Sequence, residues 1–524
     1  MLDLKIINGR VLDGTGAPWY RADVGVRGDT IVAIGDLHDS SAATIIDAHD
    51  QIVAPGFIDL LGQSQSVVLV DPHLETKVRQ GVTTEVTGEG FSPGPIGPPK
   101  PGSDPKDAPK WQTLGDYFAV LERGGTALNF AFLVGSSNPR RMVLGEMNKE
   151  PTAAEMREME LIVEGAMRDG AIGLSTSLIY VPDTYAKTEE LINLTKVAAR
   201  YGGVYFTHMR DEGDQIDLGL DEAFRIAREA NIPLNIWHLK VGGRKNWGRM
   251  PHVIERIDAA RAEGLDVAAN VYPYVASGTS LSTLAPTWAL EGGYEQFRKR
   301  LDDPGDRAKI AEELRAQVAK RGERGIFVAR VGNPEQAQYN KKFIEQIAAE
   351  MNVPVDEALI RLFRENTSSP NVIFFSMNEQ DVQYALKQPY VSVGADSGSI
   401  TAAARAANVG AHPRAYGTFA RVAGHYVRDE HLFTLEEAVR KMTSQAADRA
   451  HLDDRGVLRP GLKADVIVFD PQKIRDVATY EDPHHFSEGV VDVIVNGVPV
   501  LRDGAMTNAL PGHVLRGRGW TGKR

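Results

Sequence analysis

Short apolar runs and amphipathic stretches alternate through the middle of the chain. The runs Ile52–Leu60, Thr83–Thr87, Asn129–Val134, Ala171–Ser175, Gly203–Thr207, Pro233–Trp237, Asp266–Val271 and Val391–Ala395 read as strands. Between them, Thr152–Arg168, Thr188–Tyr201, Leu218–Ala230 and Val253–Glu263 read as helices that are polar on one face. Strand-then-helix repetition places strands side by side in parallel, and eight of them fit an α/β fold, a (β/α)8 TIM-like barrel of about 250 residues plus insertions. The stretch from about Glu291 to Glu365 is helical and charged and breaks this rhythm, so it is expected to be an inserted helical subdomain before the last barrel strand. Pro93–Pro109, rich in proline, glycine and lysine, is expected to be an exposed loop.

The two ends have a different texture. Leu4–Val11, Ala22–Arg27 and Thr30–Ile34 are each followed by a turn pair, Asp13-Gly14, Gly28-Asp29 and Gly35-Asp36. Asp465–Asp470, Val491–Val495 and Val498–Arg502, with Asn496-Gly497 between the last two, repeat the texture near the C-terminus. Neither piece buries much alone, so one small β-sandwich built from both termini is expected, with residues 1–54 and 451–524 flanking a barrel at 55–450.

Composition narrows the function. At about 150 residues per domain, 524 residues imply about three units or one large barrel with attachments. The formal charge of −11, with no long basic run, argues against nucleic acid as a main partner. There is no cysteine, which excludes disulfides, thiolate metal sites and a cysteine nucleophile. No apolar run approaches the roughly 20 residues that cross a bilayer, and the opening lacks a secretory pattern, so a cytoplasmic enzyme is expected. A homo-oligomer is left open. The glycines of Gly14-Thr-Gly16 and Gly242-Gly243 lack the strand-to-helix setting of a dinucleotide site.

In a barrel of this kind the chemistry stands at the C-terminal strand ends. Those ends hold Glu89 on strand two, His208 on strand five, His238 and Lys240 on strand six, Tyr272, Tyr274 and Ser277 after strand seven, and Asp396 on strand eight. A lone histidine there most often bonds locally, but two on consecutive strands with nearby carboxylates suit a catalytic zinc site that leaves a position for water. Glu89, flanked by glycines, reads equally as a ligand or as turn chemistry, and Lys240 as an anion-binding cation or as a solvated lysine.

The motifs in order are Ile7-Asn-Gly-Arg-Val-Leu-Asp-Gly-Thr-Gly16, Pro55-Gly-Phe-Ile-Asp59, Gln80-Gly-Val-Thr-Thr84, Gly170-Ala-Ile-Gly-Leu-Ser-Thr-Ser-Leu-Ile-Tyr180 and Thr207-His-Met-Arg-Asp-Glu212. His238-Leu-Lys240, Tyr272-Pro-Tyr274, His412-Pro-Arg-Ala-Tyr-Gly-Thr-Phe419, Pro460-Gly-Leu-Lys-Ala-Asp465 and Val495-Asn-Gly497 follow. Over nearly its whole length the chain resembles the amidohydrolase superfamily, and within it the N-acyl-D-amino-acid deacylases. The resemblance implies that His208 and His238 ligate a metal and that Asp396 is the general base. It further implies that Lys240 and Arg414 hold a substrate carboxylate, and that Tyr180 closes the strand-four motif. Tyr272 or Tyr274, with Ser277, would line the substrate region.

The departures from the family pattern matter as much. The superfamily's His-x-His after strand one falls here on Leu61 and Gln63, its metal-bridging cysteine on Glu89, and a strand-three histidine on Ser136. Leucine cannot ligate and glutamine is a poor zinc ligand, so one zinc per chain is expected, held by Glu89, His208 and His238. The implied reaction is hydrolysis of a C–N amide bond in an N-acyl (D-)amino acid by metal-bound hydroxide. The partner is then a small amide substrate carrying a carboxylate. The alternatives are a cyclic amide or imide hydrolase, which would usually carry a strand-four lysine where this chain has Ser175-Thr-Ser177, and a binding protein without metal.

Overall fold

The computed structural model describes residues 1–97 and 109–522. Most of the proline-rich segment expected to loop out, 98–108, lies outside the described residues.

Eight parallel strands run side by side in chain order: Phe57–Asp59, Val82–Thr87, Asn129–Gly135, Gly173–Ser177, Val204–His208, Leu234–Ile236, Val267–Val271 and Val391–Val393. They are numbered one to eight below. Helices such as Ala153–Asp169, Thr188–Arg200, Ile216–Ala230 and Met250–Ala262 cover the outside. The first of these is started by Thr152, whose hydroxyl accepts from the backbone of Glu155 while the Glu155 carboxylate accepts from the backbone of Thr152. Strands one and eight make no ladder. The barrel closes there through a single bridge between Gly62 and Ser397.

The run Ile52–Leu60, read above as one strand, is two. Ile52–Pro55 pairs with Val466–Phe469 in a terminal sheet, and Phe57–Asp59 opens the barrel. The break is at Gly56, where a side chain would run into Thr83: a β-carbon there would stand 2.1 Å from the Thr83 hydroxyl.

Both termini build the terminal sheet of nine strands. Val490–Val495, Val498–Arg502 and Ala505–Met506 extend it on one side, and Leu2–Val11, Tyr20–Arg27 and Thr30–Gly35 on the other. The long first strand carries two parallel partners, Ala42–Asp47 along its first half and Ile52–Val53 at its end. Leu4, Val24 and Ile31 from one terminus share an apolar core with Val466, Val468 and Ile494 from the other, as the texture of the two ends implied. The chain does not finish in this sheet. Val514–Leu515 returns to the barrel and pairs with Phe130 and Ala131, filling the edge of strand three that strand four leaves open.

Between strands seven and eight stands the insertion, and it is wider and more mixed than the charged helices suggested. The helices Tyr294–Arg300, Pro304–Arg321, Ile344–Met351 and Val355–Glu365 pack around their own core, which includes Phe297, Leu314, Ile347 and Phe363. An antiparallel sheet of Ser277–Ser280, Asn371–Phe374, Ile326–Arg330 and Lys342–Phe343 supports them. Ser277–Ser280 has no apolar residue, so hydrophobic periodicity could not reveal it. Among the described residues no helix is long and apolar enough to cross a membrane.

Candidate active site

The C-terminal ends of the barrel strands and the insertion enclose a cavity of about 880 Å³. At its base, ligand atoms from three strand ends converge. Glu89 Oε1 lies 2.8 Å from His208 Nδ1 and 3.1 Å from His238 Nε2, and the two ring nitrogens are 2.9 Å apart. Zinc bonds of roughly 2.0–2.2 Å in a tetrahedron put ligand atoms a little over 3 Å apart, so a small outward shift of this triangle admits the ion. One carboxylate and two imidazoles form a donor set suited to zinc, with a fourth position for water. Among the described residues this is the one such group of histidine and carboxylate side chains.

Glu212 faces the outer nitrogens of both rings. Its Oε1 lies 3.0 Å from His238 Nδ1, and its Oε2 lies 3.3 Å from His208 Nε2 and 2.7 Å from Lys240 Nζ. Lys240 also lies 2.8 Å from His238 Nδ1. A carboxylate behind ligating histidines fixes their tautomer and raises their basicity. Glu212 belongs to the strand-five motif, and the sequence alone assigns it no role. The available signal was a carboxylate one helical turn past His208 in a strand-end loop.

Asp396 stands beside the triangle. Its Oδ1 accepts from Gln63 Nε2 at 3.0 Å, and its Oδ2 pairs with the Arg414 guanidinium at 2.7 Å. The same Gln63 nitrogen donates to Glu89 Oε2 at 2.8 Å. The glutamine that replaces a family histidine thus bridges two carboxylates through hydrogen bonds.

Charge explains the protonation pattern. With both imidazoles neutral, the form in which they ligate a metal, Glu89, Glu212 and Asp396 outnumber Lys240 and Arg414 and leave a formal −1 around the triangle. Burial alone would raise the Glu89 carboxyl, but hydrogen bonds and charge from His208 and His238 outweigh it and hold it well below the usual range. Glu212 behaves likewise, with burial opposed by His208, Lys240 and His238. For His238, burial and Lys240 pull the pKa down, yet Glu212 and Glu89 carry it up to about 9. Asp396 is raised by burial and by Glu89 against the pull of Arg414, which makes its carboxylate a better acceptor for a water proton.

The other expected residues divide. Lys240, Arg414, Tyr180 and Ser277 line the cavity. Both cations already face site carboxylates, so a substrate carboxylate would join existing ion pairs there. Tyr180 donates to or accepts from Thr279 of the insertion at 2.7 Å and sits edge-on to His208. Tyr272 packs under Arg414, 4.7 Å from ring centre to guanidinium, and its buried hydroxyl has no partner among the described residues. Tyr274 lies behind the site, its hydroxyl 3.4 Å from Asp476, and it does not line the cavity. Leu61 packs among the apolar residues of the barrel interior and offers no ligand atom, and the Ser136 hydroxyl is taken by a 2.6 Å hydrogen bond to Asp183.

The amidohydrolase family model matches residues 404–501. The chain is 37% identical over 519 residues to the D-aminoacylase of Alcaligenes xylosoxydans xylosoxydans, covering 98% of this chain and 97% of that one. Among solved structures it is similar to N-acyl-D-glutamate deacylase from Bordetella bronchiseptica, complexed with zinc and a phosphonate mimic of the tetrahedral intermediate. The TM-score is 0.84 at 34% identity, covering 98% and 99% of the two chains. It is also similar to a D-aminoacylase whose binuclear metal centre is described as activated by one metal and attenuated by the second. There the TM-score is 0.82 at 35% identity, covering 98% and 100%.

Proposed function

Because the chain belongs to the N-acyl-D-amino-acid deacylases of the amidohydrolase superfamily, we propose that it hydrolyses the amide bond of an N-acyl-D-amino acid with one zinc ion held by Glu89, His208 and His238. The observation that carries this reading is the convergence of those three ligand atoms beside a buried aspartate. When bound, zinc there polarises the scissile carbonyl and makes a water acidic near neutral pH.

The chain's own groups supply the rest. Asp396 takes the proton from the attacking water and delivers it to the leaving nitrogen as the C–N bond breaks, so the products are a carboxylic acid and a free amino acid. Gln63 and Arg414 hold its two oxygens, so the base is aimed before substrate arrives. Tyr180, whose hydroxyl burial keeps protonated through the working range, is a hydrogen-bond donor for the oxygen that gains charge. Lys240 and Arg414 orient the substrate carboxylate. The charge balance supports this assignment: a dication turns −1 into +1, and one substrate carboxylate brings the pocket to neutrality.

The single-ion reading rests on Gln63. Its amide spans Glu89 and Asp396, two carboxylates that in a two-metal site would share the second cation. Two oxygen donors with no imidazole hold zinc weakly.

The test is hydrolysis of a panel of N-acetyl amino acids in both enantiomers, followed by release of the free amine, with zinc content measured on the same samples. Turnover of D-substrates that disappears with chelation and returns with one equivalent of zinc is the expected result. Zinc-loaded protein that cleaves no member of the D-series would overturn the reading.

A further inference from the structure

Behind the site, and away from the cavity, three ionisable side chains are completely buried: Asp59 at the end of strand one, Glu85 in strand two, and Lys77 in the short helix Glu75–Val78. Lys77 Nζ donates to Asp59 Oδ2 at 2.7 Å and lies 3.6 Å from Glu85 Oε1. Burying a charged pair together with a third ionisable group carries a large desolvation cost, and apolar residues of similar volume are often as stable or more so. A cluster like this calls for a role other than stability, and its remaining hydrogen bonds indicate one.

Asp59 Oδ1 accepts from the backbone N–H of Ala395 at 2.8 Å and of Leu61 at 3.0 Å. Lys77 Nζ donates to the backbone carbonyl of Ser397 at 2.6 Å, which also accepts from the backbone of Gln63 at 3.2 Å. The residues on either side of Asp396 are therefore each held by one member of the ion pair. Asp396 itself has a left-handed backbone, φ 49°, a conformation that persists only where its surroundings impose it. Glu85 extends the hold: it accepts from the Ser64 backbone and hydroxyl at 3.2 and 2.8 Å, and that hydroxyl accepts from the backbone of Ser399 at 2.9 Å. Gly62 makes room for it, since a β-carbon there would sit 2.5 Å from Glu85 Oε2. The bonds to Ala395, Ser397 and Ser399 cross the seam between strands one and eight, where the barrel lacks a backbone ladder.

We propose that the Asp59–Lys77 ion pair, braced by Glu85, is the positioning device of the reaction: it fixes Asp396 and Gln63 by gripping the backbone on both sides of the strand-one and strand-eight seam. None of the three lines the cavity, so they are positioning residues. The inference rests on the reading of Asp396 as the base.

The experiment compares Asp59→Asn, Lys77→Met and the double variant Asp59→Asn/Lys77→Met with Asp396→Asn, measuring Tm, zinc content, kcat and KM on each. Lys77→Met strands a buried carboxylate and is expected to lower Tm sharply. The double variant removes both charges and is expected to recover much of that Tm, while its kcat stays down by about 10²-fold, the order of loss that follows a misplacement of roughly 1 Å. Zinc content should be native and KM little changed. Asp59→Asn, in which Lys77 still has Glu85 as a partner, is expected to fold and to show the same split between kcat and KM. If the double variant, or Asp59→Asn, keeps native kcat while Asp396→Asn is inactive, the cluster serves folding alone and the inference fails by itself. If Asp396→Asn keeps turnover, the base assignment fails and takes the inference with it.

Discussion

Replacing Glu212 with glutamine should weaken zinc binding without touching a ligand atom. Glu212 lies across one imidazole from the ligand triangle, close to His238 Nδ1, His208 Nε2 and Lys240 Nζ at once. The substitution keeps the shape and removes one negative charge, so the formal balance around the triangle moves from −1 to zero. A dication and a carboxylate roughly 6–7 Å apart attract by about 5 kcal/mol at an effective dielectric of 20, which is an upper bound. Solvent at the cavity mouth and the neutralising charge of Lys240 reduce it. Measured losses for partners behind metal-ligating histidines run to about 10–100-fold in affinity, or about 1.4–2.7 kcal/mol. We expect Glu212→Gln to fall in that range. Lys240, released from its 2.7 Å ion pair, adds to the loss by standing close to His238 unneutralised. The assay is competition for zinc against a chelator of known affinity, read by ion release, with turnover at saturating zinc as a second measurement. A zinc Kd within twofold of native would show that Glu212 does not act on the ligands through the two rings.

Four further outcomes follow from the same geometry. Glu89→Ala should abolish stoichiometric zinc, whereas Gln63→Ala should leave one ion per chain. The double variant Leu61→His/Gln63→His should take up a second, and one-ion stoichiometry in that variant would remove the argument from the strand-one substitutions. Specificity constants for N-acyl-D-amino acids should exceed those for their primary amides, and Lys240→Met should raise KM more than it lowers kcat; equal constants for acid and amide would dismiss the carboxylate clamp. Burial, partly offset by Lys77, pushes Glu85 up to about 7, so the folded protein holds a proton that the unfolded chain releases near pH 4.5. Stability should therefore fall as pH rises from about 4.5 to about 7, by on the order of 1–3 kcal/mol from this group. Glu85→Gln should flatten that slope in Tm-against-pH curves, and parallel curves for the two proteins would refute the assignment.

Some of this protein is local and therefore legible in its sequence. A barrel strand buried on both faces must be apolar, and its polar residues collect where it ends. That is why Glu89, His208, His238 and Asp396 could be named as candidates from strand-end positions. The turn pairs of the two termini likewise announced a β-rich unit, because tight turns need residues tolerant of unusual backbone angles. What the sequence left open is what depends on distance in space. Arg414 lies far along the chain from Tyr272, and only the closed tertiary fold brings it over that ring and against Asp396, leaving Tyr274 behind with Asp476. Gln63 looked like a lost ligand, and only the closed seam shows its amide bonded to two carboxylates at once. Asp59, Lys77 and Glu85 carry no periodic signal as a group, and in isolation each reads as an ordinary charged residue. Their meaning is set by mutual burial, where a low dielectric makes unpaired charge prohibitive and so obliges one lysine, two carboxylates and the backbone around Asp396 to meet.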